Sequence, residues 1–324
     1  MHQGRAGDGI ARLRGDVREA AGSFGLLLVG AAFMGVNYVV LKWALLGAGV
    51  YTTAFFRALL GGAVMLGVCA VTRTSLRVEW RRDELAAVGV PAALMVASQL
   101  TFAFGVKNTA AGLASILSTM MPVVSTLLAW LVLRERPHRM ALVGAAVALG
   151  GVVVAATVAR EGRTTHALGV VMMLLAVSTW ASSNVSMKRR RPASGEIAFA
   201  TWMLLLGSVV FLPLGAATEG LHVHWSWKYV AEALMAGGGG QLGFLAVLVV
   251  LRRGSVARAG TVSFMVPVFG VASGAILLDE AVHWQELAGG ALIFAGVGLV
   301  VFGRQLVGRL SARGAAGAAP GAGP

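Results

Sequence analysis

Ten stretches of this chain are long and apolar enough to cross a bilayer, which leaves few folds open. Nine contain no Asp, Glu, Lys or Arg: 20–41, 85–106, 108–133, 140–159, 164–187, 197–218, 233–251, 259–278 and 287–303. A helix of about 20 apolar residues spans the hydrocarbon core. The tenth, 52–72, is apolar apart from Arg57, and omitting it would leave a structureless loop too long for a chain with such short connectors. Lipid offers no partner to backbone N–H and C=O groups, so runs of this length must satisfy them internally, as helices. The expected fold class is an all-α integral membrane protein with ten transmembrane helices.

Composition agrees. Of 324 residues 57% are hydrophobic and 13% charged, against about 25% charged in soluble domains, which excludes a soluble globular enzyme. The net charge of +13 would suggest nucleic acid in a soluble chain, but here the basic residues sit in connectors, where they set topology; no nucleic-acid partner is expected. With the N-terminus placed inside, 21 of the 27 Lys and Arg fall on the cytoplasmic side. Only Lys107, Arg160, Arg163 and Lys228 fall opposite, while Lys42 and Arg57 lie within spans. The positive-inside rule then puts both termini in the cytoplasm.

The single cysteine, Cys69, lies in an apolar run and excludes an internal disulfide or a Cys-based metal cluster. The first apolar run has no convincing cleavage site and reads as an uncleaved span. Before it, Ile10, Leu13 and Val17 alternate with arginines at helical spacing, as in a short helix on the inner leaflet or a frayed tail. Residues 304–324 end in an Ala/Gly/Pro run and are expected to be a disordered cytoplasmic tail.

The chain also repeats itself. At an offset of 145, Pro122 falls on Pro267, Glu135 on Glu280, His138 on His283, Gly144 on Gly289 and Gly151 on Gly296. An offset of 146 aligns Lys42 with Lys188 and Gly35 with Ala181; an offset of 142 aligns Gln99-Leu-Thr-Phe102 with Gln241-Leu-Gly-Phe244. The division is a cytoplasmic segment 1–22, a first five-helix repeat 23–159, a second 164–303 and the tail. Because five is odd, the second repeat enters the membrane from the opposite side, which makes the repeats inverted. Inverted repeats suit secondary transporters, since two similar halves of opposite orientation give two conformations of similar energy.

With Gly35-Val-Asn37 through Lys42, Arg57 in span 2, and two copies of a Pro-then-Glu spacing of 13 residues, the chain resembles the drug/metabolite transporter superfamily, in its ten-helix branch of paired EamA domains. That resemblance, over about residues 24–303, implies a permease or exporter of small metabolites, amino acids or drugs in the cell membrane. Its partners would be a small-molecule substrate and the lipid bilayer, with a homodimer left open. The second repeat departs at span 7, where Met203 stands in the place of Arg57.

Polar groups inside spans mark a pathway or hold helices together. Gln99 and Gln241 are repeat-equivalent and read as substrate contacts or as interhelical hydrogen bonds. The same choice applies to Asn37 in span 1 and to Trp180, Ser183 and Asn184 in span 6. Trp180 and Trp202 are candidate pocket walls or packing, whereas Trp225, Trp227 and Trp284 suit an aromatic belt. Arg57 either snorkels outward or faces a cavity and pairs with a substrate carboxylate or a helix end. Lys42 reads as an interfacial anchor. Pro122 and Pro267 deprive the carbonyls of Ser118 and Ser263 of their helical partners, so both helices are expected to kink, as hinges or as tolerated proline. Gly237 to Gly240 invite close helix approach or local loosening. Glu135 and Glu280 occupy equivalent helix ends and suit capping and loop pairing, with gate contacts second.

No Asp or Glu falls deep in any span, so a buried carboxylate relay is not expected. No metal site, cofactor or enzyme is expected: five of the six histidines lie outside the spans and His166 stands at the very start of one, and no Gly-x-x-x-x-Gly-Lys-[Ser/Thr] motif is present. The expectation is a secondary transporter working by alternating access, with a transport-dead scaffold or sensor as the alternative and an intramembrane transferase third. Substrate, direction and coupling stay open.

Overall fold

A computed structural model describes residues 3–76, 82–160, 165–190, 195–252 and 256–317, and among these every long element is a helix. Span 1 is α1 (Gln3–Gly47), span 2 is α2 (Val50–Thr72) and span 3 is α3 (Arg82–Lys107). Span 4 is broken into α4 (Ala111–Ser118) and α5 (Met121–Leu133), and span 5 is α6 (Arg139–Ala156). The second repeat holds α7 (Ala167–Arg190), α8 (Gly195–Thr218), α9 (Trp227–Leu234) running through a π-turn into α10 (Gly240–Arg252), α11 (Val256–Leu278) and α12 (Trp284–Gly317). Among the described residues nine spans are long and apolar enough to cross a membrane, and α11 supplies a shorter apolar stretch, Phe264–Leu278. This is a multi-pass membrane protein.

Both ends of the chain carry more helix than composition alone suggests. The first helix continues from the membrane back to Gln3, and α12 continues past the apolar window to Gly317, where alanine's strong helix propensity outweighs the scattered glycines. The side chains of Ile10, Leu13 and Val17, and residues 318–324, lie outside the described residues.

Glycine lets the helices approach. A Cβ at Gly144 would lie 2.5 Å from the Gly296 carbonyl oxygen, and one at Gly151 would lie 2.6 Å from that of Gly289. Each contact is reciprocated, so α6 and α12 run antiparallel, backbone against backbone, along two repeat-equivalent glycine pairs. Elsewhere too the principal contacts join one repeat to the other: α1 packs on α10 and α11, α2 on α8, and α3 and α5 on α7. Gly30 meets Ala246, Gly35 meets Phe269, Gly62 meets Leu205 and Gly105 meets Met173. A core of fully buried side chains, among them Leu41, Leu113, Leu117, Met120, Met173 and Ile293, fills the space between.

The repeat extends to backbone detail. Arg134 and Asp279, 145 residues apart, both take the left-handed conformation (φ 57° and 50°). In each case the next N–H bonds back six residues, Glu135 N to Ala129 O and Glu280 N to Gly274 O, one residue further than in a Schellman closure, so both helices end in the same widened turn. Glu135 and Glu280 are therefore launched in the same way from equivalent helix ends.

Candidate functional site

Span 4 departs most from the expected geometry. Instead of a kink there is a break, with Thr119 N donating to Ile116 O and Met120 N to Leu117 O. Hydroxyls saturate the neighbouring carbonyls: Ser115 Oγ donates to Gly112 O, Ser118 Oγ to Ala114 O and Thr119 Oγ1 to Ile116 O. Pro122, which has no N–H to offer Ser118, sits in the first turn of α5. Its counterpart Pro267 lies within an unbroken α11. Where span 4 has Ser115 and Thr119, span 9 has Gly260 and Phe264, so span 9 lacks that hydroxyl set. The side chain of Ser263 lies outside the described residues.

Beside the break, three helices bring their side chains together. The Arg57 guanidinium of α2 lies over the Phe102 ring of α3, 5.1 Å from its centroid. Phe102 in turn meets Tyr38 of α1 edge-on at 5.5 Å. The Tyr38 hydroxyl lies beside Ser118 and in the field of Arg57. Arg57 Nε is enclosed without a hydrogen-bond partner, and among the described residues no carboxylate pairs with the guanidinium. Seven residues into α2, it lies about 10 Å from the helix end at 1.5 Å per residue. A snorkelling arginine would carry its head to the interface; this one turns it onto an aromatic ring between helices.

Span 8 meets the same region through its distortion. Met235–Gly239 form a π-turn, whose displaced carbonyls at Met235 and Ala236 accept hydrogen bonds from Asn37 Nδ2 at 3.0 and 3.2 Å. Gly237 approaches α2 so closely that a Cβ there would lie 2.9 Å from Arg57 O. Close approach and loosening both occur in this stretch, the π-turn taking in Gly237 to Gly239 and the contact at Gly237 leaving no room for a side chain. Gln241 lies against Gly61, one turn along α2 from Arg57.

Gln99 is 9% exposed, with Nε2 unpartnered, and it faces Gly207 of α8 one turn from Phe102. Asn37, Arg57, Gln99, Ser118 and Gln241 thus gather around α2, α3 and the π-turn. The other candidates lie elsewhere. Ser183, fully buried, donates to Pro91 O at 2.7 Å, much as Asn37 serves the π-turn. Trp202 Nε1 donates to Leu76 O at 3.0 Å. Trp180 is 39% exposed and Asn184 is exposed as well, and neither is tied to the Arg57 cluster by a hydrogen bond or ring contact among the described residues. Trp225, Trp227 and Trp284 are exposed at span ends.

Four side chains important to this arrangement carried no distinct sequence signal. Tyr38 follows Asn37 and Phe102 closes the repeated Gln-Leu-x-Phe, yet an aromatic in a span reads as packing. Glu219 is the third; it accepts Tyr51 N, Thr52 N and Thr52 Oγ1 and so caps α2 from the end of α8. The fourth corrects an expectation. Glu286, one residue outside the apolar window of span 10, is only 3% exposed, so a buried carboxylate is present. Helix α12 begins at Trp284 rather than at the window's edge and carries Glu286 inward on its first turn.

The two equivalent glutamates each form an ion pair across the repeats. Lys42 of α1 pairs with Glu280 after α11, and Lys188 of α7 pairs with Glu135 after α5, at the opposite end of the bundle. Glu280 Oε2 also accepts Ala111 N at 2.8 Å, capping α4. The pairs differ in environment: Lys42 and Glu280 are 16% and 8% exposed, Lys188 and Glu135 60% and 52%.

Comparison with known proteins agrees with this architecture. Residues 23–157 and 167–302 each match the EamA-like transporter family. A probable amino-acid metabolite efflux pump of Salmonella typhimurium is 30% identical over 66% of this chain and 78% of its own. A probable terminal-alkyne amino-acid exporter of Streptantibioticus cattleyicolor is 31% identical over 66% and 71%, and an uncharacterized transporter of Bacillus subtilis 26% identical over 82% and 87%. One crystal structure superimposes on 86% of this chain and 98% of its own with a TM-score of 0.60 at 16% identity, a likeness of fold alone. Two matched domains covering the whole bundle place the chain in the EamA-like transporter family, within the drug/metabolite transporter superfamily.

Proposed function

We propose that this protein is a secondary transporter that exports amino acids and related carboxylate metabolites across the cell membrane, with Arg57 as the anchor for the carboxylate. The carrying observation is the state of Arg57: a cation resting on Phe102 between helices, with its Nε–H enclosed and unpartnered and, among the described residues, no carboxylate paired with it. A charge at such a depth costs about 2.5 to 3.5 kcal/mol on insertion scales, which a bound carboxylate would offset through a forked pair of hydrogen bonds. Phe102 and Tyr38 supply an apolar wall, and the Tyr38 hydroxyl and the unpartnered Gln99 amide supply donors for the remainder of the ligand. The names of the Salmonella and Streptantibioticus relatives support the amino-acid class.

Alternating access between inverted repeats completes the reading, with both termini cytoplasmic. Its support is the antiparallel pairing of the equivalent helices α6 and α12 and the two cross-repeat ion pairs. A lysine- and arginine-rich inside places the Lys42–Glu280 pair at the external end, closed, and the Lys188–Glu135 pair at the cytoplasmic end.

Flux tests the anchor directly. Proteoliposomes loaded with a panel of amino acids, aliphatic and alkynyl side chains included, should release the free carboxylates about 100-fold faster than the matching carboxamides, the scale set by losing one desolvated charge pair. Equal rates for acid and amide would remove Arg57 from the role.

A further inference from the structure

The two cross-repeat ion pairs are equivalent in sequence and in launch geometry, and the Lys42–Glu280 pair has a buried third carboxylate beside it. Glu286 lies within electrostatic reach of both Glu280 and Lys42. Its carboxylate accepts the His283 backbone N–H as a capping box, but Oε1 is buried with no partner. At the other end, 145 residues earlier, the place of Glu286 is taken by Ala141, and His138 caps α6 with its own Nδ1.

We propose that Lys42, Glu280 and Glu286 form a proton-operated latch on the external gate, closed when Glu286 holds a proton and released when Glu286 ionises. With Lys42 committed to Glu280, an ionised Glu286 would be a second buried anion without a countercharge, which a low-dielectric site tolerates poorly. Protonation removes that conflict; ionisation sets Glu286 and Glu280 against each other for one lysine. Loss of the Lys42–Glu280 pair frees α1 from α11 and uncaps α4 at Ala111, which leads along α4 to Ser118 and the Arg57 site. Among the described residues, the charged groups facing Glu286 are Glu280 from the end of α11 and Lys42 from α1, with His283 on its own first turn. Alongside, α6 and α4 present Ala155 to Gly289 and Ile116 to Gly290. The proton is exchanged with the external solution alone, so the latch makes one face of a symmetric carrier responsive to pH.

This inference rests on the external placement in the transport reading, and its test needs no substrate. Ala111, fully buried beneath the latch, is replaced by cysteine in a C69A background, and labelling by a membrane-impermeant maleimide is followed in oriented vesicles, with and without E286Q. The E286Q variant keeps the neutral side chain and carries the same intrinsic thiol chemistry, so the ratio of the two rates reads the latch. From about pH 5 to about pH 8 that ratio should rise about fivefold or more, as Glu286 ionises in the parent alone, and K42M should label quickly at every pH. A ratio that stays flat overturns the proposal, whatever the flux assays show. If the cysteine variant does not fold, hydrogen exchange of the peptide 108–118 in the unmodified protein, again as a ratio to E286Q, decides with the same two outcomes.

Discussion

Replacing Arg57 with methionine lowers carboxylate flux by about 100-fold or more and leaves the protein at least as stable as its parent. The first half follows from the pairing argument: truncating one partner of a desolvated ion pair costs on the order of 2 to 5 kcal/mol. The second follows from what Arg57 lacks. Its stacking on Phe102 contributes about 0.5 to 2 kcal/mol, while holding the cation within the membrane costs about 2.5 to 3.5 kcal/mol. Methionine keeps a flexible stem against Phe102 and removes that cost, so thermal unfolding should move upward or not at all. An arginine serving only to hold helices together would give the opposite pair of results, unstable protein with normal flux per folded molecule. Lysine should fall between, since it retains the charge but not the planar fork. Proteoliposome efflux and a thermal melt on the same preparations give both readouts.

Much of this was legible in the chain because a bilayer imposes a coarse, strong code. Nine of the ten apolar runs are membrane-length helices among the described residues and the tenth holds the shorter apolar stretch of α11, while the glycines that the 145-residue repeat aligns are the ones that meet, cross-wise, between α6 and α12. Arg57, Gln99, Gln241 and Asn37 stand out as polar groups in spans and Ser118 as the carbonyl that Pro122 leaves without a partner, and the structure sets Asn37 against the π-turn, Gln241 against Gly61 of α2 and Ser118 beside Tyr38. What the pattern could not supply was partnership. Ser183 and Trp202 carry the same polar signal as Arg57, but their donors are taken by Pro91 O and Leu76 O. No one-dimensional feature separates a satisfied donor from a waiting one.

Nor could it foresee the broken span 4 beside the continuous span 9, because both hold the same proline; the difference lies in hydroxyls at Ser115 and Thr119 that replace lost backbone bonds. Lys42 read as an anchor and is a partner of Glu280. Glu286 carries no signal in the sequence because a window free of charge begins, by construction, one residue after it.

Leucine at Gly151 should prevent the protein from folding into a monodisperse species, while leucine at the adjacent Gly150 should be tolerated. Nothing lies within 4 Å of a Cβ built on Gly150, which faces outward, and there leucine gains up to about 1 kcal/mol of helix propensity over glycine. On Gly151 even a Cβ would lie 2.6 Å from Gly289 O and 2.8 Å from Ile293 N. Neither neighbour is a side chain that can swing aside, so α6 and α12 must separate, and overpacking of this kind costs about 3 kcal/mol or more. Size-exclusion profiles and melts of the two variants decide the matter; equal behaviour would mean that the backbone contact is not what joins the repeats. The contrast also bears on mechanism. A seam with backbone on backbone at two points cannot slide by a fraction of a turn without collision, so α6 and α12 move together. In the alternating-access reading proposed above, the ends part where ion pairs tie helix tips together, α1 with α11 and α7 with α5. Gly35 meets the α11 backbone at Val266 O, so α1 would pivot about that contact while its tip at Lys42 and Glu280 parts, and under the latch proposal that tip is the one a proton reaches.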